Sequence, residues 1–458
     1  MKKLLFVLLL LSIFVFAIAC DENESSIPND NADQTESSDG DSSADGNTDT
    51  TDNTDIDNNN DNNNHTDNDN KAPATHLITI VENGNSDYTL VADEAQGKRV
   101  ISIASSLYNG IKNSTEVKLK SNRNGETEKN KEIHLGLTKH NISVATYNTL
   151  DYDEYSIRVV GEKIFIVGGT ALALEVATEE FMNKFVNNEE KSLKIPEETA
   201  ILGKIPSFTL KELKSDSWNV FDYEGTNIEY GILLPKNYNA AKQYPYFIYV
   251  HGHGYGGDNS QGYNWSKFQV YLESLGFLDE EGVRECIIIA PHLKINQGEK
   301  SWWSNSFNVI GYAVTDIPYD TTPPSDNLTD MYTLIRQVGD ALNIDENRVY
   351  ITGASDGGYA TWELITRHTD FFTAAIPLCG AADTSKADLI RDLPIYFFHG
   401  DADTTVSISA AKKIDAALKN VGAKKYNYVV LKELGHGISQ AAYSYDGLWD
   451  WLFAQTKK

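Results

Sequence analysis

Residues 205–458 are predicted to form an α/β structure, a mostly parallel sheet covered by helices on both faces. Two observations carry this. Six short apolar runs, Tyr246–Val250, Cys286–Ala290, Arg348–Thr352, Thr373–Leu378, Pro394–Phe398 and Tyr426–Leu431, are continuous rather than alternating, as strands buried on both faces require. Amphipathic stretches separate several of them, for instance Met331–Leu342 and Ile408–Val421, which gives the strand–helix alternation of a doubly covered sheet.

The chain has 458 residues and a formal charge of −27, unevenly distributed. Lys2 and Lys3 precede the apolar runs Leu4–Leu11 and Ile13–Ile18, which read as the core of an export signal over residues 1–19. The segment closes on Ala17-Ile18-Ala19-Cys20, similar to a bacterial lipobox except that Ala17 stands where Leu is usual; Cys20 is thus the expected lipidation site. Residues 21–72 hold 13 Asp, 3 Glu and one Lys, a net −15. With almost no apolar surface to offset chain entropy, residues 20–72 are expected to stay disordered, as a tether extended by like-charge repulsion. The remaining surface is ordinarily acidic and carries no Lys/Arg stripe, which argues against nucleic acid as a partner. Membrane association is expected through the N-terminal lipid alone.

Residues 73–204 read as a small α/β accessory domain. His76–Val81, Tyr88–Val91 and Glu132–Leu137 are strand-like, and Tyr155–Val160 and Lys163–Val167 form a hairpin across Gly161-Glu162. Val100, Ile103, Ala104, Leu107 and Ile111 recur at helical spacing, as do Leu174, Ala177, Phe181 and Phe185. Of the three cysteines, Cys286 and Cys379 lie in apolar strand-like runs and are expected to be small buried hydrophobes without a disulfide.

The chemistry concentrates in three strand-end loops. Gly353-Ala354-Ser355-Asp356-Gly357 follows the run Arg348–Thr352 and matches G-x-S-x-G, the strand–turn–helix elbow that lifts a serine hydroxyl clear of the backbone. A serine hydroxyl needs a base, and His436, between Gly435 and Gly437, follows the last strand. The imidazole needs a carboxylate, and His399-Gly400-Asp401-Ala402-Asp403 follows the preceding strand and offers two. Ser, Asp, His is the chain order of α/β-hydrolases. Oxyanion donors are expected from the backbone N–H of Asp356 and from main-chain amides of His251-Gly252-His253-Gly254, with His253 the named candidate. His251 and Trp302, the latter beside Trp303 on the loop after Ala290, are candidate substrate contacts, and the Asp-, Pro- and Thr-rich stretch 314–327 is a candidate rim or lid. Neither a metal nor another cofactor is called for, because the His251/His253 pair lacks accompanying carboxylate or thiolate spacing.

Residues 225–458 resemble the secreted esterase branch that contains feruloyl and acetyl-xylan esterases, polyhydroxybutyrate-depolymerase-like proteins and "predicted peptidases". The resemblance lies in Leu234-Pro235-Lys236-Asn237-Tyr238, His251-Gly252-His253-Gly254, Ala290-Pro291-His292 and Asp345–Tyr350 leading into Gly353-Ala354-Ser355, with His399–Asp403 and Gly435–Gly437. It implies the α/β-hydrolase fold and, by H-G-x-x-D spacing, Asp403 rather than Asp401 as the acid. Asp356 departs from the Met, Gln or Asn common after that nucleophile. Glu132–Gly136, Tyr155–Val159 and Ile164–Gly169 are similar to the accessory domain preceding the barrel of α-glucuronidases and β-hexosaminidases. Together these imply a surface-anchored serine esterase acting on acylated carbohydrate, with a peptidase using the same triad, or a non-catalytic glycan-binding scaffold, as alternatives.

Overall fold

A computed structural model describes residues 76–215, 217–253, 272, 278–279, 282–283, 285–294, 315–319 and 324–457. The lipidation candidate Cys20, the tether, Gly254, Trp302 and Trp303 lie outside the described residues. The described residues belong to one compact unit, residues 62–458.

Its first part holds strands β1 (Leu77–Val81), β2 (Thr89–Val91), β3 (Lys120–Asn122), β4 (Glu132–Leu135), β5 (Glu154–Val160), β6 (Lys163–Gly168), β7 (Val186–Asn187), β8 (Ser192–Pro196) and β9 (Ala200–Lys204). Helices α1 (Lys98–Thr115), α2 (Asn141–Tyr147) and α3 (Ala171–Phe185) intervene. Six strands form a sheet in the order β3-β2-β4-β6-β5-β9, and β1-β8-β7 form a separate small sheet. Within the six, β3, β2, β4 and β6 run parallel, while β5 is antiparallel to both β6 and β9. The apolar face of α1, with Ile103, Leu107 and Ile111, is buried, as is that of α3, with Leu174, Ala177 and Phe181.

The second part adds β10 (Asn219–Asp222), β11 (Ile228–Leu233), β12 (Tyr246–Val250), the short pair β13 (Leu278–Asp279) and β14 (Gly282–Val283), then β15 (Ile287–Leu293), β16 (Val349–Ala354), β17 (Ala374–Leu378), β18 (Ile395–Gly400) and β19 (Tyr426–Leu431). Its helices are α4 (Asp326–Ala341), α5 (Asp356–Arg367), α6 (Ser409–Asn420), α7 (Ser439–Tyr443) and α8 (Leu448–Phe453). Eight strands form one sheet, β10-β11-β15-β12-β16-β17-β18-β19. The six from β15 to β19 are parallel, and β10 and β11 add an antiparallel edge. Numbered along the chain, these strands stand 1-2-4-3-5-6-7-8, with only the second reversed against its neighbours, which is the α/β-hydrolase arrangement.

The continuous apolar runs are explained by which core each residue enters. Tyr246, Ile248 and Val250 join one cluster with Val349 and Ile351, under α4, α5 and α6. Phe247 and Tyr249 join the opposite cluster with Tyr350, under α7 and α8. A strand covered on both faces cannot alternate apolar with polar. Cys286 and Cys379 are free and buried. In the candidate lid, Ile317 and Tyr319 are buried and Asp316 accepts hydrogen bonds from the Thr384 amide (3.0 Å) and hydroxyl (2.8 Å), so this portion is built into the body rather than standing over it.

Helix α4 joins the two parts. Its Asp330 pairs with Arg99, and Asp326 accepts the Arg99 backbone N–H at 3.1 Å. Further along, Arg336 bonds Asp151 at 2.9 Å and lies 4.3 Å above the Tyr152 ring, whose hydroxyl donates to Asp340. Buried charge of another kind lies at β4. The Glu132 carboxylate, fully buried, accepts the Glu128 and Lys129 amides (2.8 and 2.9 Å) and bonds Lys163 and His134.

Candidate active site

Strand β16 delivers the nucleophile. Ser355 sits between β16 and α5 with φ +58°, a left-handed conformation that a non-glycine residue adopts only when its surroundings impose it. Its amide donates to the Leu378 carbonyl (3.0 Å) and its carbonyl accepts from Tyr359 (2.9 Å), which fastens the turn on both sides. The glycines are required by crowding. A Cβ on Gly357 would lie 2.1 Å from the Val250 carbonyl oxygen, and one on Gly353 would lie 2.6 Å from the same atom. Gly357→Ala should therefore cost about 3 kcal/mol of stability or more, read by urea unfolding, because backbone must move. At Gly437 an added Cβ meets nothing within 4 Å, so Gly437→Ala should be near neutral; equal losses at both would refute the steric account.

The base and acid arrive from the next strand ends but one and two. His436, after β19, places Nε2 2.8 Å from Ser355 Oγ and Nδ1 2.8 Å from Asp403 Oδ2. Asp403, after β18, has a fully buried side chain. Its Oδ1 accepts the amides of Thr405 and Val406 at 2.8 and 2.9 Å. Burial works against its charge, but hydrogen bonds from His399, His436 and those two amides outweigh it and hold the carboxyl well below the usual range. An ionised acceptor on Nδ1 orients the imidazole with Nε2 as proton acceptor toward Ser355 and stabilises the imidazolium once the proton has moved. Asp401 is elsewhere, paired with Lys432 at 3.2 Å and accepting the Glu433 amide.

Two further neighbours, to which the motifs assign no role, belong to the site. His399 Nε2 lies 2.9 Å from the Val406 carbonyl, so it carries a proton, and the same N–H faces Asp403 Oδ2 at 3.3 Å. Asp403 is thereby held by a second histidine from behind. Cys379, with φ +40°, places Sγ 3.7 Å from the His436 carbonyl. Its sulfur, an Asp403 oxygen and a His436 nitrogen lie within 4.8 Å of one another, the one metal-competent cluster among the described residues. Burial pushes that thiol up to about 12, so it stays protonated, and the other two atoms are bonded to each other.

For the oxyanion, Asp356 opens α5, and the first amides of a helix have no partner within it. Its side chain is buried. The loop after β12 passes close beside the nucleophile: a Cβ on Gly252 would lie 3.4 Å from Ser355 Cβ. His251, at the end of β12, is engaged through both ring nitrogens. It is 4% exposed, its Nε2 accepts the Leu293 amide at 3.0 Å, and its Nδ1 donates to the Gly252 carbonyl at 2.8 Å. Nε2 thus fastens the end of β12 to β15, while Nδ1 closes onto the carbonyl of the next residue in the same loop.

Burial, then the neighbouring His292, pushes His251 down to about 3; burial does the same to His368 (about 3) and to His134 (about 4). Folded values below the ordinary 6.5 mean that the unfolded chain takes up protons the folded one refuses, so stability falls as pH drops from about 6.5 toward 4. Buried Glu363, raised to about 7, opposes this by taking a proton in the folded state over the same range. Three histidines against one carboxyl leave a net loss of about 2–4 kcal/mol between pH 7 and 5, at about 1.4 kcal/mol per proton and unit. Urea midpoints across that range measure it, and a flat profile would contradict it.

A hydroxyl at an elbow, an imidazole able to take its proton and a buried carboxylate to stabilise the resulting charge make one catalytic device. The chain is a serine hydrolase on the α/β-hydrolase fold. A profile of the prolyl oligopeptidase family, Peptidase_S9, matches residues 322–397. Among solved structures it is similar to a thermostable esterase at 29% identity (TM-score 0.42, covering 58% of this chain and 69% of that one). Others are a ferulic acid esterase at 17% identity (0.38, 52% and 96%) and the acylaminoacyl peptidase of Pyrococcus horikoshii at 17% (0.37, 53% and 42%). A search of curated proteins found no match.

Proposed function

We propose that this serine hydrolase is a surface-anchored carboxylic ester hydrolase that deacylates polysaccharide-linked esters, feruloyl or acetyl, through an acyl-enzyme on Ser355. The observation that carries the hydrolytic step is the 2.8 Å bond from His436 Nε2 to Ser355 Oγ, the geometry of a nucleophile paired with its base. Ser355 Oγ attacks the acyl carbon as His436 takes its proton, the alcohol leaves with that proton, and water repeats the sequence to release the acid. The ester class is supported by the motif resemblance running from Leu234 to Gly437, and the carbohydrate by export and by the resemblance of residues 73–204 to a glycosidase accessory domain.

The experiment is one panel measuring release of acetate, ferulate and peptide amine from matched substrates. Dominant acetate or ferulate release supports the reading, and dominant amide cleavage overturns it. The second reading, a serine peptidase, is favoured by the prolyl oligopeptidase match, although residues 322–397 take in Ser355 and stop short of Asp403 and His436. Display outside the cytoplasm on a lipid at Cys20 is part of the proposal, supported by Lys2, Lys3 and the apolar run before the cysteine. Cys20→Ser should move the enzyme from the membrane to the soluble fraction; unchanged partition would refute the anchor.

A further inference from the structure

Strand β12 lies parallel to β16 with Val250 opposite Gly353, so the chain beyond each strand, through Gly252 on one and Ser355 on the other, continues side by side. The approach is close. A Cβ on Gly252 would lie 2.9 Å from the Ala354 carbonyl oxygen and 3.4 Å from Ser355 Cβ. The peptide between Gly252 and His253 therefore stands next to the nucleophile, and the way it faces decides what it does there. In a planar trans peptide the C=O and the N–H point in opposite directions. An N–H turned to the acyl oxygen stabilises the charge that develops on it, and a C=O turned there repels that charge.

We propose that His251 is a positioning residue for the reaction at Ser355: its imidazole holds the Gly252 carbonyl and thereby aims the His253 N–H at the oxyanion. This rests on the serine-hydrolase reading of Ser355 and on no particular substrate. The two partners of the ring fix its tautomer. A carbonyl only accepts, so Nδ1, 2.8 Å from the Gly252 oxygen, carries the proton. A backbone amide only donates, so Nε2, 3.0 Å from the Leu293 nitrogen, is the bare acceptor. The single proton of a neutral imidazole is thus placed on the side that faces the loop.

The arrangement resists a flip of that peptide. Leu293 is the last residue of β15, the strand beside β12, so the ring is anchored on the sheet and the loop is anchored on the ring. Turning the Gly252 carbonyl toward Ser355 would leave the Nδ1 proton of a buried side chain without its acceptor, a costly loss. Burial, then His292, push the imidazole down to about 3, so it keeps this one-proton form wherever His436 can serve as a base. A histidine that only tied β12 to β15 would need Nε2 alone. The bond from Nδ1 joins no second strand; what it restrains is the orientation of the peptide next to the nucleophile. With Asp356 at the start of α5 supplying one donor, the loop after β12 then supplies the other, from the opposite side of the elbow.

The two nitrogens can be tested apart in the full chain with p-nitrophenyl acetate, because a glutamine amide reaches the place of Nε2 and an asparagine amide that of Nδ1. His251→Gln can still accept the Leu293 amide but releases the Gly252 carbonyl. It should lower kcat about 30-fold with KM within about twofold, somewhat less than outright loss of an oxyanion donor. Its affinity for phenylboronic acid, whose tetrahedral adduct on Ser355 puts an oxygen in the oxyanion position, should fall by about the same factor. His251→Asn can still donate to the Gly252 carbonyl but leaves the Leu293 amide unanswered. It should therefore melt at a lower temperature than His251→Gln and yet turn over about tenfold faster. A kcat for His251→Gln within about threefold of the parent, or kcat losses in the two variants that simply follow their melting temperatures, would overturn the positioning role. A parent chain without Ser355-dependent turnover of this ester would instead refute the serine-hydrolase reading on which the role rests.

Discussion

Ser355→Ala is expected to lower kcat for any activated ester by about 10⁶-fold and to abolish labelling by a fluorophosphonate probe. The fold should survive, because alanine replaces serine at φ +58° with no added bulk and the turn is held by the Ser355 backbone bonds to Leu378 and Tyr359. His436→Ala should be nearly as damaging, since an unassisted hydroxyl is a poor nucleophile near neutral pH. The double variant should fall little further, because two members of one proton-transfer unit do not contribute independently. What remains comes from the oxyanion donors and from binding. Labelling that persists in Ser355→Ala, or turnover within tenfold of the parent, would refute the assignment of the nucleophile.

Much of this site could be read from the sequence because the triad depends on strand ends, and strand ends are marked by local signals. The runs Tyr246–Val250, Thr373–Leu378 and Tyr426–Leu431 correspond closely to β12, β17 and β19, and each catalytic loop follows directly from its strand. The antiparallel edge was less visible. Strand β10 spans four residues with Val220 38% exposed, and β9 alternates, with Leu202 68% exposed, so neither shows the dense apolar run of a central strand. Strand β8 ends on Pro196, which reads locally as a terminator. Residue roles that depend on a distant partner were not legible at all. His251 looks like half of a ligand pair until Leu293, 42 residues away, is seen to donate to it. His399 and Cys379 join the site only because β17 and β18 lie beside β16 and β19.

Between the two carboxylates after β18, motif spacing already points to Asp403, and the bond of its Oδ2 to His436 Nδ1 leads to the second large effect. Asp403→Asn should lower kcat by about 10⁴-fold while leaving stability nearly intact. The asparagine fills the same volume, and its carbonyl can still accept the Thr405 and Val406 amides that Oδ1 accepts now. The position of Oδ2 then becomes an NH₂ group facing the N–H of His399 at 3.3 Å and the Nδ1–H of His436 at 2.8 Å, donors against donors. His436 can relieve this by moving its proton to Nε2, but that nitrogen then donates toward Ser355 and can no longer take the hydroxyl proton. Asp401→Asn should change kcat less than about threefold, since that side chain meets Lys432 and the Glu433 amide at an exposed turn. Comparable losses from the two substitutions, or a larger one from Asp401→Asn, would show that the imidazole takes its orientation from a group other than Asp403.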